Sequence, residues 1–120
     1  MMSNAELSAY LRDNGYAEYL ARDGGPGLID RYKQFVAEVV KGYRRHLEDY
    51  RNDLDIRSLI SMAGLDEQVR DEDRRLAELL INRDIRVWES GITTDPFWDY
   101  GYPSTAGPVL LADLRKEELA

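Results

Sequence analysis

Gly27–Asn52, GLIDRYKQFVAEVVKGYRRHLEDYRN, decides how this chain folds. Leu28, Ile29, Tyr32, Phe35, Val36, Val39, Val40, Tyr43, Leu47 and Tyr50, with Leu54 just beyond, recur at spacings of three and four. At 100° per residue they fall within an arc of about 140°. Asp30, Arg31, Gln34, Glu38, Lys41, Arg44, Arg45, Glu48 and Asp49 fill the remainder. The pattern predicts one amphipathic helix over about 27–52, a rod of roughly 39 Å at 1.5 Å per residue. Such a rod is the spine on which everything else packs.

Upstream of it, Asp23-Gly24-Gly25-Pro26-Gly27 predicts an inter-helix turn, since three glycines and a proline do not continue a helix. Ser3 and Glu6 have the spacing of a capping box and start a short helix that runs to about Asn14 and buries Leu7, Tyr10 and Leu11. Gly15 ends it, and Tyr16, Tyr19 and Leu20 belong to a second short helix. Downstream, Asp55 is placed to cap a helix over Ile56–Ala63 that Gly64 closes. A second long helix follows over about 66–89, antiparallel to the spine. Its stripe of Leu65, Val69, Leu76, Leu79, Leu80 and Val87 is interrupted by Glu72, Asp73 and Arg83. Gly91 stops that helix. An aromatic-rich loop over 92–107 leads to Pro108, which opens a short helix with Leu110, Leu111 and Leu114 inward. The expected fold is therefore all-α: one domain over 1–120, an irregular helical bundle with two long antiparallel helices and short N- and C-terminal helices.

Composition narrows the function. The chain has 120 residues, a net charge of −7 and no cysteine, which removes disulfides, thiolate-held zinc and a cysteine nucleophile. The N-terminal residues lack a secretory pattern, and the longest apolar run, Val109–Ala112, is far short of the ~20 residues a membrane span needs. A cytoplasmic protein without membrane contact is expected. Acidity is uneven: residues 61–120 hold 7 Lys/Arg against 13 Asp/Glu, and Val87–Leu114 holds no Lys or Arg beside Glu89, Asp95, Asp99 and Asp113. That balance is the reverse of what phosphate backbones require, so no nucleic-acid partner is expected and a basic protein partner is. The glycine-rich loop at 23–27 lacks the Lys-Ser/Thr of a phosphate-binding loop. The Asp53-x-Asp55 and Asp71-x-Asp73 pairs lack the glycine and terminal glutamate of a calcium loop. No cofactor and no metal are expected.

Two candidate sites remain. Phe97, Trp98, Tyr100 and Tyr102 crowd four aromatics into six positions of a loop, beside Asp95 and Asp99. Either Phe97 and Trp98 dock the segment across the bundle, or Asp95, Trp98, Asp99, Tyr100 and Tyr102 form a partner-binding surface, and the two coexist where Phe97 and Trp98 anchor while Tyr100 and Tyr102 face out. His46, the sole histidine, falls on the apolar arc of the spine, and with Arg83 it defines a candidate buried polar site. The Glu-x-x-His metal motif is absent there, since position 43 is Tyr.

The turn Asp99-Tyr100-Gly101-Tyr102-Pro103-Ser104, set in an acidic helical chain before a short helix, resembles the small immunity proteins that neutralise nuclease bacteriocins. Those carry adjacent tyrosines followed by Pro-Ser. Here Gly101 separates the tyrosines, the segment lies nearer the C-terminus, and the likeness covers that turn alone without assigning a family. The expected function is a non-catalytic interaction domain of immunity, antitoxin or inhibitor type that binds a basic partner. The alternatives are a structural subunit or homodimer, and a small helical enzyme or ligand binder using His46 with Tyr43, Tyr50 or Arg83.

Overall fold

The computed structural model describes residues 3–81, 97 and 101–119. Over these residues the protein is an all-α helical bundle: α1 (Asn4–Asp13), α2 (Glu18–Lys41), α3 (Leu47–Met62), α4 (Arg70–Leu79) and α5 (Pro108–Lys116). A 3-10 turn over Asp66–Val69 leads into α4. Two-residue strands β1 (Leu80–Ile81) and β2 (Tyr102–Pro103) pair antiparallel, Leu80 opposite Pro103 and Ile81 opposite Tyr102.

Local signals set both ends. Ser3 Oγ accepts the Glu6 N–H at 3.1 Å while the Glu6 carboxylate reaches back to the Ser3 N–H, and Leu7 and Leu11 are buried. Gly15 ends the segment with φ +77°, a value an L side chain resists. Pro108 sits in the first turn of α5, where its missing N–H costs nothing, and Leu110 and Leu114 point into the core. The turn expected over 23–27 shrinks to a kink at Gly24 (φ 62°, ψ −147°). Pro26 falls in the first turn after the kink and is tolerated there for the same reason.

The single helix expected over 27–52 is instead two helices. α2 ends at Lys41, Gly42 takes φ 110° and ψ 113°, and the helix resumes only at Leu47. The backbone groups freed by the break find partners at the far end of the chain. Tyr43 N–H donates to the Thr105 carbonyl at 3.1 Å, Gly107 N–H donates to the Tyr43 carbonyl at 2.7 Å, and Thr105 Oγ1 donates to the Val39 carbonyl at 2.6 Å. A Cβ at position 107 would stand 2.8 Å from the Tyr43 carbonyl oxygen, so only glycine fits that approach.

α3 then folds back antiparallel on α2. Phe35 meets Tyr50 with ring centroids 5.7 Å apart, and farther from the turn on both helices Arg57 lies 6.0 Å from the Tyr32 ring. The antiparallel pair is thus made inside the segment read as a spine. The periodicity survives because both halves turn the same residues inward: Tyr32, Phe35, Val36, Val39, Tyr43, Leu47, Tyr50 and Leu54 are all buried. Val40, on the expected arc, is 43% exposed. Asp55 is no helix cap. It lies within α3, and its carboxylate accepts the Tyr16 O–H at 2.8 Å.

The second long helix, expected over about 66–89, is also shorter than its pattern. Its backbone leaves helical geometry at Leu80 (φ −84°, ψ 144°) to pair with β2, so tertiary pairing overrides local preference. Residues 82–90, including Arg83, lie outside the described residues.

A buried ion pair joins three helices. Arg57 of α3 grips Asp73 of α4 in a bidentate pair, Nε to Oδ1 and Nη2 to Oδ2, each at 2.9 Å. The Tyr32 O–H of α2 donates to Asp73 Oδ1 at 2.6 Å, Asp66 Oδ1 stands 2.7 Å from Arg57 Nη1, and the Phe97 ring lies 4.6 Å from the guanidinium. Both Arg57 and Asp73 are fully buried. Burial works against the Arg57 cation, but the Asp73 hydrogen bonds and charge more than offset it and hold the guanidinium above its ordinary value. Removing one partner strands a buried charge, which costs about 3–5 kcal/mol, whereas exchanging both for apolar groups of similar size can be near neutral. Urea denaturation of Arg57→Met is expected to show a loss of that size, and Arg57→Met/Asp73→Leu is expected to recover most of it.

Candidate functional site

The break at Gly42 gives His46 a different place from the one its periodicity suggests. His46 is the N-cap of α3, with extended backbone, and its own N–H is accepted by Asp49 Oδ2 at 3.2 Å. Its side chain is 67% exposed, so it is not a core residue. The first turn of α3 carries amides with no helical acceptor. One of them, Leu47 N–H, donates to Asp113 Oδ2 of α5 at 3.1 Å, and the same oxygen lies 2.8 Å from His46 Nδ1. Leu110 and Leu114, buried on either side of Asp113, fix that approach. One helical turn farther along both helices, Arg51 Nη2 donates to Glu117 Oε2 at 3.0 Å. The pairs 47/51 on α3 and 113/117 on α5 thus face each other as two rungs at helical i,i+4 spacing.

Between the helices lies an open groove of about 770 Å³, lined by His46, Leu47, Glu48, Arg51, Asn52, Asp55, Asp113, Lys116 and Glu117. Tyr102, half-buried on β2, packs its ring 5.8 Å from Tyr50; burial works against the neighbouring Arg51 cation, but Tyr102 and Glu117 together hold it above its ordinary value. The Tyr50 O–H donates to the Gly101 carbonyl at 2.8 Å. A Cβ on Gly101 would come within 2.7 Å of the Ile81 carbonyl oxygen. The glycine between the two tyrosines is therefore required by β1.

Of the residues singled out from sequence, His46 lines the groove, while Tyr102 packs on the buried Tyr50. Asp95, Trp98, Asp99 and Tyr100 lie outside the described residues, as does Arg83. Phe97 is buried against Arg57. Tyr43 and Tyr50, considered as partners for His46, direct their hydroxyls elsewhere, to Asp53 Oδ2 at 2.8 Å and to Gly101. The buried polar centre is Arg57–Asp73. Its signal was a charged residue inside each stripe: Arg57 three from Leu54 and three from Ile60, and Asp73 between Val69 and Leu76. Asp113, Arg51 and Glu117 carried no comparable signal, because charged residues on short surface helices are ordinary.

The electrostatics divide the groups into spent and available. Burial first, then the Asp53 bond, pushes the Tyr43 phenol up. Burial likewise raises Tyr50, and Tyr16 is raised by burial and by Asp55. These phenols stay protonated and serve as donors. The Leu47 N–H, and after it the His46 side chain, hold the Asp113 carboxyl below its ordinary value. With Nδ1–H given to Asp113, a neutral His46 keeps a lone pair on Nε2, which can accept a hydrogen bond or a proton.

Among the described residues no group of three or more His, Asp or Glu side chains is arranged to hold a metal ion, and no helix is long and apolar enough to cross a membrane. No family model, no curated protein and no solved structure matches the chain.

A carboxyl whose folded pKa is depressed adds stability that is complete above its unfolded value, near 3.9, and lost as pH falls through the depressed value. Asp113 therefore contributes at neutral pH and ceases to do so only in acid below about pH 4. Replacing it by Asn removes that contribution. Denaturation midpoints of wild type and Asp113→Asn are expected to differ at pH 7 and to converge as pH falls through this window.

Proposed function

We propose that the protein is a non-catalytic interaction domain of the acidic immunity, antitoxin or inhibitor type, and that it binds a basic partner protein. The supporting observation is the position of Arg51, which pairs with Glu117 across the groove and is held above its ordinary value, against burial, by Tyr102 and Glu117. Tyr102 belongs to the window free of Lys and Arg, Val87–Leu114, and the groove that Arg51 lines also carries Glu48, Asp55, Asp113 and Glu117. Acidic groups gathered on one face raise the local concentration of a cationic partner and speed encounter. Aromatic side chains beside them supply contact area at little cost in entropy. Asp95, Trp98, Asp99, Tyr100 and Tyr102 are the contact residues of this proposal.

Affinity capture from the native host tests it, using wild type and Tyr100→Ala/Tyr102→Ala with helical content verified by circular dichroism. A basic protein recovered by wild type at about 0.1 M salt is expected to fall at least about tenfold with the variant, and to be lost near 0.5 M salt, where such charges are screened. Equal recovery by both forms would remove this surface from the interaction.

A further inference from the structure

What the groove between α3 and α5 can hold depends on what each lining group has left to offer. Arg51 is engaged by Glu117 and Tyr102. Asp113 Oδ2 serves both Leu47 N–H and His46 Nδ1. Asp55 gives Oδ2 to Tyr16 and keeps its other oxygen. Glu48 is exposed and has no ion-pair partner among the described residues. The remaining capacity is mostly acceptance: the Nε2 lone pair of neutral His46, the Glu48 carboxylate, and second oxygens on Asp55 and Glu117. Lys116, exposed at the rim, is the opposing charge. An anion placed here would meet four carboxylates. At about 770 Å³ the space falls in the range of pockets that seat small ligands, enough for more than one side chain.

We propose that this groove seats a lysine or arginine side chain carried on an extended basic segment of a partner protein, with His46 Nε2 accepting a hydrogen bond from the cation beside Glu48 and Asp55. The proposal rests on the acidic interaction-domain reading and adds to it a place and a chemistry. A carboxylate on one ring nitrogen fixes the imidazole so that the other nitrogen remains an acceptor, the same device by which carboxylates orient catalytic and metal-binding histidines. The other charged groups near His46 are Arg44 and Arg45 before it, Glu48, Asp49, Arg51 and Asp55 on α3, Asp113 and Lys116 on α5, and Glu117 at its C-cap.

The test uses the full chain and three probes, an arginine-glycine peptide, a glutamate-glycine peptide and inorganic phosphate, followed by amide and imidazole NMR shifts. The arginine peptide is expected to shift the His46 ring and the amides of Leu47, Glu48 and Asn52, and the other two probes are not. His46→Asn should bind the arginine peptide about three- to tenfold more weakly, and Lys116→Glu, a change at an exposed rim position, should bind about two- to fivefold more tightly. Arginine-peptide shifts on a different acidic face would overturn the groove assignment and leave the interaction-domain reading standing. No binding at low salt would overturn both. Unchanged affinity in His46→Asn would remove the histidine from the site.

Discussion

Two full charges sit where water does not reach, and the bundle is arranged around keeping them together. Arg57 and Asp73 come from different helices, and Tyr32 adds a third helix to the same carboxylate. A bidentate guanidinium–carboxylate pair tolerates little error in distance or plane. Satisfying it fixes how α3 and α4 are rotated about their axes and where α2 must lie between them. Apolar packing alone would accept several rotations of such short helices, as hydrophobic patterning specifies a face but not a register. Phe97 closes the assembly from above by covering the guanidinium.

The tyrosines extend the same logic outward. Tyr16, Tyr32 and Tyr43 each donate a hydroxyl hydrogen bond to an aspartate on another element, Asp55, Asp73 and Asp53. Tyr32 and Tyr43 pair a large buried ring, and Tyr16 a partly buried one, with one defined polar endpoint. The aromatic contacts of Phe35 with Tyr32, Tyr43 and Tyr50 place those four rings in one connected cluster between α2 and α3. Acidic residues in this protein therefore have two occupations. Some are internal acceptors that orient tyrosines and Arg57, and others, such as Glu48, remain at the surface and give the groove its sign.

What could be read from sequence was mostly short in range. The Ser3–Glu6 box, Gly15, Gly64 and Pro108 act within a few residues, and each ends or begins a helix where expected. The apolar arc named core residues of α2 and α3 well, Val40 apart, because burial follows periodicity whether or not the helix is continuous. The break was hidden for the opposite reason. A glycine at position 42 is compatible with a helix interior, and what makes it a turn is a set of acceptors and donors more than sixty residues away. His46 was placed on the buried arc only because that turn was unseen. With the turn in place, it becomes an exposed cap facing α5. Asp73 interrupts its stripe visibly, but nothing in the 56–63 segment marks Arg57 as its partner, and pairing them depends on α3 and α4 meeting.

The splice between residues 42–43 and 105–107 bears on the order in which the chain can become ordered. Val39 and Thr105 are 66 residues apart, yet the carbonyl of one is satisfied by the hydroxyl of the other. The hairpin of α2 and α3 is local in sequence, but its corner is finished by the last fifth of the chain. Closing a contact over that distance carries a loop-entropy cost that neighbouring helices do not meet. During synthesis the corner must wait, with its backbone groups hydrated, until α5 and the segment before it have emerged. The C-terminal segment is thus the keystone of a turn that the N-terminal half begins and cannot complete alone.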